Sequence, residues 1–179
     1  MSNLDSLKDL LKFNNKDVFY FLQILRRKKE NENNRSNSLV ISQYCITSMD
    51  YLNYIFPIVT AICVSTNSRA YVHLNARSLR SAAYDTNIKI GNQLKNKDYR
   101  SVKSAYKSVC GSLGAKPGTD KWWFVDIDTK MPEIVDKIYR EVKELSIDKN
   151  ITPFLIPTPN GYHLICGKFD TRVLTNISR

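Results

Sequence analysis

Leu4, Leu7, Leu10 and Leu11 recur at the spacing of one helical face, so residues 4–13 are expected to form a short amphipathic helix. The pattern then changes. DVFYFLQILRRKK (17–29) is aromatic and β-branched and reads as a strand, and LVISQYCI (39–46) reads as a second. The polar ENENNRSNS (30–38) between them makes the pair a hairpin, with Arg26, Arg27, Lys28 and Lys29 near its tip. A helix should follow, capped by Thr47 or Ser48, with Asp50 in its first turn and Pro57 kinking it or ending its first half. RAYVHLN (69–75) is a short strand, with Asn75 placed to cap a helix from Arg77 to about Leu94. Another helix runs from Asp98 to Cys110, with Val102, Ala105, Tyr106 and Val109 on one face and Arg100, Lys103 and Lys107 on another. Gly111 and Gly114 are expected to stop it.

KWWFVDID (121–128) reads as a buried strand. The helix after it opens with Pro132 and turns Ile134, Ile138, Val142 and Leu145 inward. ITPFLIPTPNG and YHLICGKFD are extended segments about a turn at Pro159–Gly161. Helices interleaved with hairpin-paired strands predict an α+β fold, a mixed or antiparallel sheet with helices packed on it. Its last strand–helix–strand–strand portion resembles half of a ferredoxin-like unit. No composition break marks a second domain. One domain is therefore expected over 1–179, made of an N-terminal helix (1–16), a hairpin (17–46), a helical region with one strand (47–120) and a strand–helix–hairpin unit (121–170).

Composition narrows the function. With 42% hydrophobic and 25% charged residues in 179, the chain has the make-up of a soluble globular protein. YIFPIVTAICV (54–64) is too short to span a bilayer, and the N-terminus lacks the layout of a secretory signal. No membrane association and a cytoplasmic location are expected. Cys45, Cys63, Cys110 and Cys166 are far apart and form no CxxC pair, so they are read as reduced core thiols. Twenty-seven Lys and Arg against 17 Asp and Glu, net +10, favour polyanionic partners, nucleic acid or nucleotides first.

Two carboxylates close the strand at 121–128. Residues two apart in a strand share a face, so Asp126 and Asp128 repel unless a cation lies between them. Mg²⁺ or Mn²⁺ suits that place, bound through one or two carboxylates and substrate phosphates. The plainer alternative is a strand end running out into water. His163 alternates with Tyr162 and Leu164 and so faces away from them, as a half-buried hydrogen bonder or a phosphate contact. Lys168 is placed to complete an anion site, and Asp170 to add a third carboxylate. Arg69, Arg77 and Arg80, at the junction RAYVHLNARSLR, form a second candidate phosphate site, with Arg100, Lys103 and Lys107 as further nucleic-acid contacts. Trp122 and Trp123 alternate, one toward the core and one toward a helix or a stacked base.

FVDID ending a hydrophobic strand, followed by a helix, a strand and the Gly-x-His strand of NGYHLI, resembles the first two motifs of the archaeo-eukaryotic primase superfamily. RRKKEN, RAYVHLNARS, KWWFVDID and PTPNGYHLI are also similar to segments of small phage proteins, a likeness covering most of residues 17–170. The resemblance implies a primase-like core with an RRM-related sheet. In it Asp126 and Asp128 hold Mg²⁺ or Mn²⁺ and His163 contacts the incoming nucleotide's phosphates. Primases of this superfamily bring a third acidic residue from a later strand; here the nearest substitute is Asp170, seven residues after His163. His73 and His163 also resemble the histidine pair of two-histidine phosphoesterases, but Asn75 and Ile165 stand where those enzymes need Ser or Thr. Three roles are thus expected to compete: a metal-dependent nucleotidyltransferase, a non-catalytic nucleic-acid-binding module, and a phage protein that inhibits a host or defence complex.

Overall fold

The computed structural model describes residues 3–28, 37–148 and 151–170, so the tip of the first hairpin, with Lys29, lies outside the described residues. The protein is α+β, with two antiparallel three-stranded sheets and helices packed on them. The chain divides into two compact units, residues 2–119 and 120–179, a division that the sequence reading of one domain did not draw.

In the first unit, α1 (Asn3–Leu10) leads into β1 (Val18–Arg27), β2 (Ser38–Ile46), α2 (Met49–Ser65), β3 (Arg69–Ser78), α3 (Leu79–Lys95), α4 (Tyr99–Val102) and α5 (Ala105–Ser112). The sheet order is β2-β1-β3. β1 is central and its residues Val18–Leu22 are all buried, because both faces are covered. Val18, Tyr20, Leu22 and Ile24 pack with Leu52, Ile55 and Val59 of α2 and with α1. Phe19 and Phe21 point the other way, onto Ala82 of α3 and Cys110 of α5.

Several boundaries differ from the sequence reading. α2 runs through Pro57 to Ser65 without a break, because Pro57 and Asn53, whose carbonyl loses its donor there, both lie on the exposed side. β3 extends to Ser78, and Ser78 rather than Asn75 caps α3 by accepting from Ser81 N. Arg77 is therefore a strand residue. The helix expected over 98–110 is two, α4 and α5, separated at Lys103–Ser104. Gly111 lies inside α5 rather than after it, where an added Cβ would sit 3.4 Å from the Phe21 ring.

In the second unit, β4 (Trp123–Ile127), α6 (Pro132–Leu145), β5 (Phe154–Pro157) and β6 (Tyr162–Cys166) form a sheet ordered β4-β6-β5. β6 runs antiparallel to both neighbours, so β4 and β5 are parallel to each other and joined through α6, the split β-α-β arrangement. One face of this sheet is the core: Trp123, Val125, Ile127, Tyr162, Leu164 and Cys166 pack with Val135 and Val142 of α6. Ile138, Val142 and Leu145 of α6 face this core as expected, but Val135 takes the place expected for Ile134. Val135 is buried and Ile134 is 41% exposed.

Candidate functional site

The opposite face of the second sheet is exposed at Phe124, Asp126 and His163 and buried at Ile165. By strand alternation it carries Phe124 and Asp126 from β4, His163 and Ile165 from β6, and Phe154 and Ile156 from β5. Asp126 and His163 are direct cross-strand partners, and His163 Nε2 lies 3.5 Å from Asp126 Oδ1. Both side chains reach solvent, at 57% exposure for Asp126 and 44% for His163. Phe124 is 65% exposed beside them, its ring 5.9 Å from the imidazole. At the neighbouring edge Trp122 meets Phe154 edge-on at 6.0 Å. Trp123 goes to the core against Phe169. This face is an aromatic platform around an acid–imidazole pair.

The turn before β6 explains why Asn-Gly precedes the histidine. A Cβ on Gly161 would overlap the Ile127 carbonyl oxygen and press on Thr129 N, so the turn rests on the backbone at the end of β4. Close approach, rather than a left-handed φ, is what requires glycine there. Thr158 Oγ1 accepts from Gly161 N, and Thr158 N donates to Gly161 O, closing the turn.

Asp128 lies one residue beyond β4 and is exposed. Lys168 and Asp170 follow β6 and are exposed too. Among the described residues no three His, Cys, Asp or Glu side chains form a group able to hold a metal ion. Asp126 and Asp128 nevertheless offer hard oxygen donors open to solvent.

The basic candidates lie elsewhere. Arg69, Arg80, Arg100, Lys103 and Lys107 are exposed in the first unit. Arg80 lines an open groove of about 520 Å³ with Ser81, Tyr84 and Lys116. The N-terminus of α3 beside it already carries an anion, the protein's own Asp17. That carboxylate accepts from Ser78 Oγ, Arg80 N and Lys116 Nζ. The Lys116 bond first, then those of the Arg80 amide and the Ser78 hydroxyl, hold Asp17 at about 2, below its usual 3.8.

Arg77 is not where the sequence placed it. It is only 5% exposed on β3, its guanidinium carbon 5.4 Å from the Phe21 ring centroid. Its Nη2 donates to His73 Nδ1 at 2.8 Å. Because arginine only donates, Nδ1 must accept, and His73 Nε2–H then donates to Gln23 Oε1 at 3.1 Å. Burial, and then the Arg77 charge, push the His73 pKa down and keep the ring neutral. The chain Gln23–His73–Arg77 was missed because strand and helix were divided at residue 75. Alternation continued to 77 places His73 and Arg77 on one face.

The charge is unequally divided. Eighteen of the 27 Lys and Arg and 8 of the 17 Asp and Glu precede residue 120, so the whole excess of ten lies in the first unit. Among the described residues no helix is long and apolar enough to cross a membrane. No protein-family model, curated protein or solved structure matches the chain.

Proposed function

We infer that this chain is a primase-like protein that binds a nucleotide or a nucleic-acid strand on the open face of the β4-β6-β5 sheet. The observation that carries the reading is the pairing of Asp126 with His163 across two strands, both solvent-facing, beside an exposed Phe124. Exposed aromatic rings on a sheet stack bases of any sequence, at about 1–3 kcal/mol per base. His163 is placed to donate to a phosphate oxygen, and the neighbouring carboxylate orients the ring. The split β-α-β topology, with Asp126 near the end of β4, matches half of a ferredoxin-like unit and supports this reading.

Nucleotidyl transfer is the catalytic form of this reading. Asp126 and Asp128 would hold Mg²⁺ or Mn²⁺ together with substrate phosphates, and the metal's chemistry is to polarise the transferred phosphoryl group and activate the attacking hydroxyl. His163 would position the triphosphate, and the aromatic face would hold the base or template. A binding module without turnover uses the same face, and the exposed Phe124 and Phe154 favour that second form.

Thermal shift with Mn²⁺ and a nucleoside triphosphate, together with fluorescence anisotropy on a labelled single-stranded oligonucleotide, tests the reading. Binding in both assays, with the metal-dependent shift lost in Asp126→Asn, supports the catalytic form. Oligonucleotide binding with no metal or nucleotide effect supports the module. Failure of both assays removes the open face as a nucleic-acid site.

A further inference from the structure

The outer face of the β4-β6-β5 sheet is laid out in two rows. The register sets Asp126, His163 and Ile156 side by side across β4, β6 and β5, and Phe124, Ile165 and Phe154 side by side in the next row. Rows on one face lie about 7 Å apart along the strands, and neighbours within a row about 5 Å apart. These two rows hold one carboxylate and neither Lys nor Arg. Phe124 has the carboxylate next to it on its own strand and leans toward the imidazole, with ring centroids 5.9 Å apart. Phe154 has Ile156 in the corresponding place. The two exposed rings are therefore unequal, one bordered by polar groups and the other by hydrocarbon.

What the polar pair offers a ligand follows from its atoms. An ionised carboxylate only accepts, through two oxygens, and an imidazole nitrogen that carries its hydrogen donates. His163 Nε2 lies 3.5 Å from Asp126 Oδ1, and that neighbour favours the hydrogen on Nε2 in the neutral ring; the protonated ring carries it there in any case. The row thus presents two acceptors and then a donor. Single-stranded bases are read on their Watson–Crick edges while stacked on aromatic side chains. Guanine alone has the matching edge, with N2–H and N1–H together and O6 after them. Adenine and cytosine have one amine beside a ring nitrogen whose lone pair a carboxylate repels. Thymine and uracil have one N–H between two carbonyl oxygens. The net charge of +10 favours a polyanion over a cationic ligand for the same aromatic–carboxylate pair. Phosphate contacts have to come from outside these rows, which leaves the rows to read the base.

We propose that Phe124, Asp126 and His163 form a guanine-selective subsite for single-stranded nucleic acid. The Phe124 ring stacks the base, the Asp126 carboxylate accepts from N1–H and N2–H, and His163 Nε2–H donates to O6. The subsite rests on the binding-module form of the proposed function, with His163 turned to a base oxygen instead of a phosphate.

The test uses the full chain in EDTA, so that no metal occupies Asp126, and fluorescence anisotropy on labelled oligothymidylate strands that differ at one central base. The guanine strand should bind about 5- to 100-fold tighter than strands with adenine, cytosine or thymine there, the range for one bidentate base contact. Hypoxanthine, which keeps N1–H and O6 but lacks the N2 amine, should lose most of that gain on the native chain. Asp126→Asn exchanges one acceptor for a donor and should bind all the strands alike, whereas Phe124→Ala should weaken every strand. Equal affinity for the four bases, or hypoxanthine bound as tightly as guanine, overturns the guanine subsite while leaving the face as a stacking platform. No binding of any strand removes the face as a nucleic-acid site and the subsite with it. A guanine preference that survives in folded Asp126→Asn also overturns the assignment.

Discussion

Asp126 and His163 face each other because each occupies a fixed place in an antiparallel ladder, and neither needs the other in order to fold. A solvent-exposed pair of this kind contributes within about 1 kcal/mol to stability. Asp126→Asn and His163→Ala should therefore melt close to the native chain by circular dichroism while weakening nucleotide or oligonucleotide binding. A large drop in melting temperature would make the pair structural instead. Gly161 behaves oppositely. Gly161→Ala has to push the turn off the Ile127–Thr129 backbone, an overpacking cost on the order of 3 kcal/mol, readable by chemical denaturation. Both residues of the pair were legible in the sequence, since strand alternation places His163 opposite Leu164 and the hydrophobic run WWFV ends at Asp126. The burial of Arg77 was not, because the polar RSLRS serves a strand end and a helix start equally well.

At the scale of elements, the hydrophobic pattern located strands and helices but not their junctions. The β3–α3 boundary is decided by Asp17, ninety-nine residues from Lys116 in sequence, which gathers Ser78, the Arg80 amide and Lys116 at one point. No local window contains that information. The division of α4 from α5 and the choice of Val135 over Ile134 at the start of α6 likewise follow from what each helix packs on. The capping role has a pH signature. Asp17 has its pKa depressed in the fold, so its contribution is present above the ordinary carboxylate range and is lost as pH falls through about 2. Thermal melts should accordingly show Asp17→Asn destabilised at neutral pH, with the gap from the native chain closing between about pH 4 and pH 2. A pH-independent gap would mean that the side chain acts through packing rather than charge.

For the whole molecule, the unequal charge predicts two kinds of binding energy. Phosphate contacts drawn from the first unit should weaken steeply with salt, whereas base stacking on the second sheet should not. Reversing Arg100, Lys103 and Lys107 together to Glu should reduce the salt slope of single-strand binding by about 2 if all three meet phosphates. Phe124→Ala should instead lower affinity by about 5- to 100-fold at every salt concentration, as anisotropy titrations would measure. If the triple reversal leaves the slope unchanged, the basic helices α4 and α5 are a solvated surface. The net charge pointed to polyanions from composition, but its confinement to one unit emerged only with the division at residue 120.

The turn at Gly161 lies directly on the main chain of β4, with no side chain between them. The separation of acid from imidazole is thus ruled by covalent geometry and ladder spacing, and not by how well the interior on the other side is filled. Erosion of that interior, as by Val142→Ala, should cost about 1–3 kcal/mol of stability yet leave the affinity of the remaining folded molecules intact. A lineage of such chains is then free to exchange the oily residues beneath the sheet, while the missing side chain at Gly161 stays as the part that tolerates no drift.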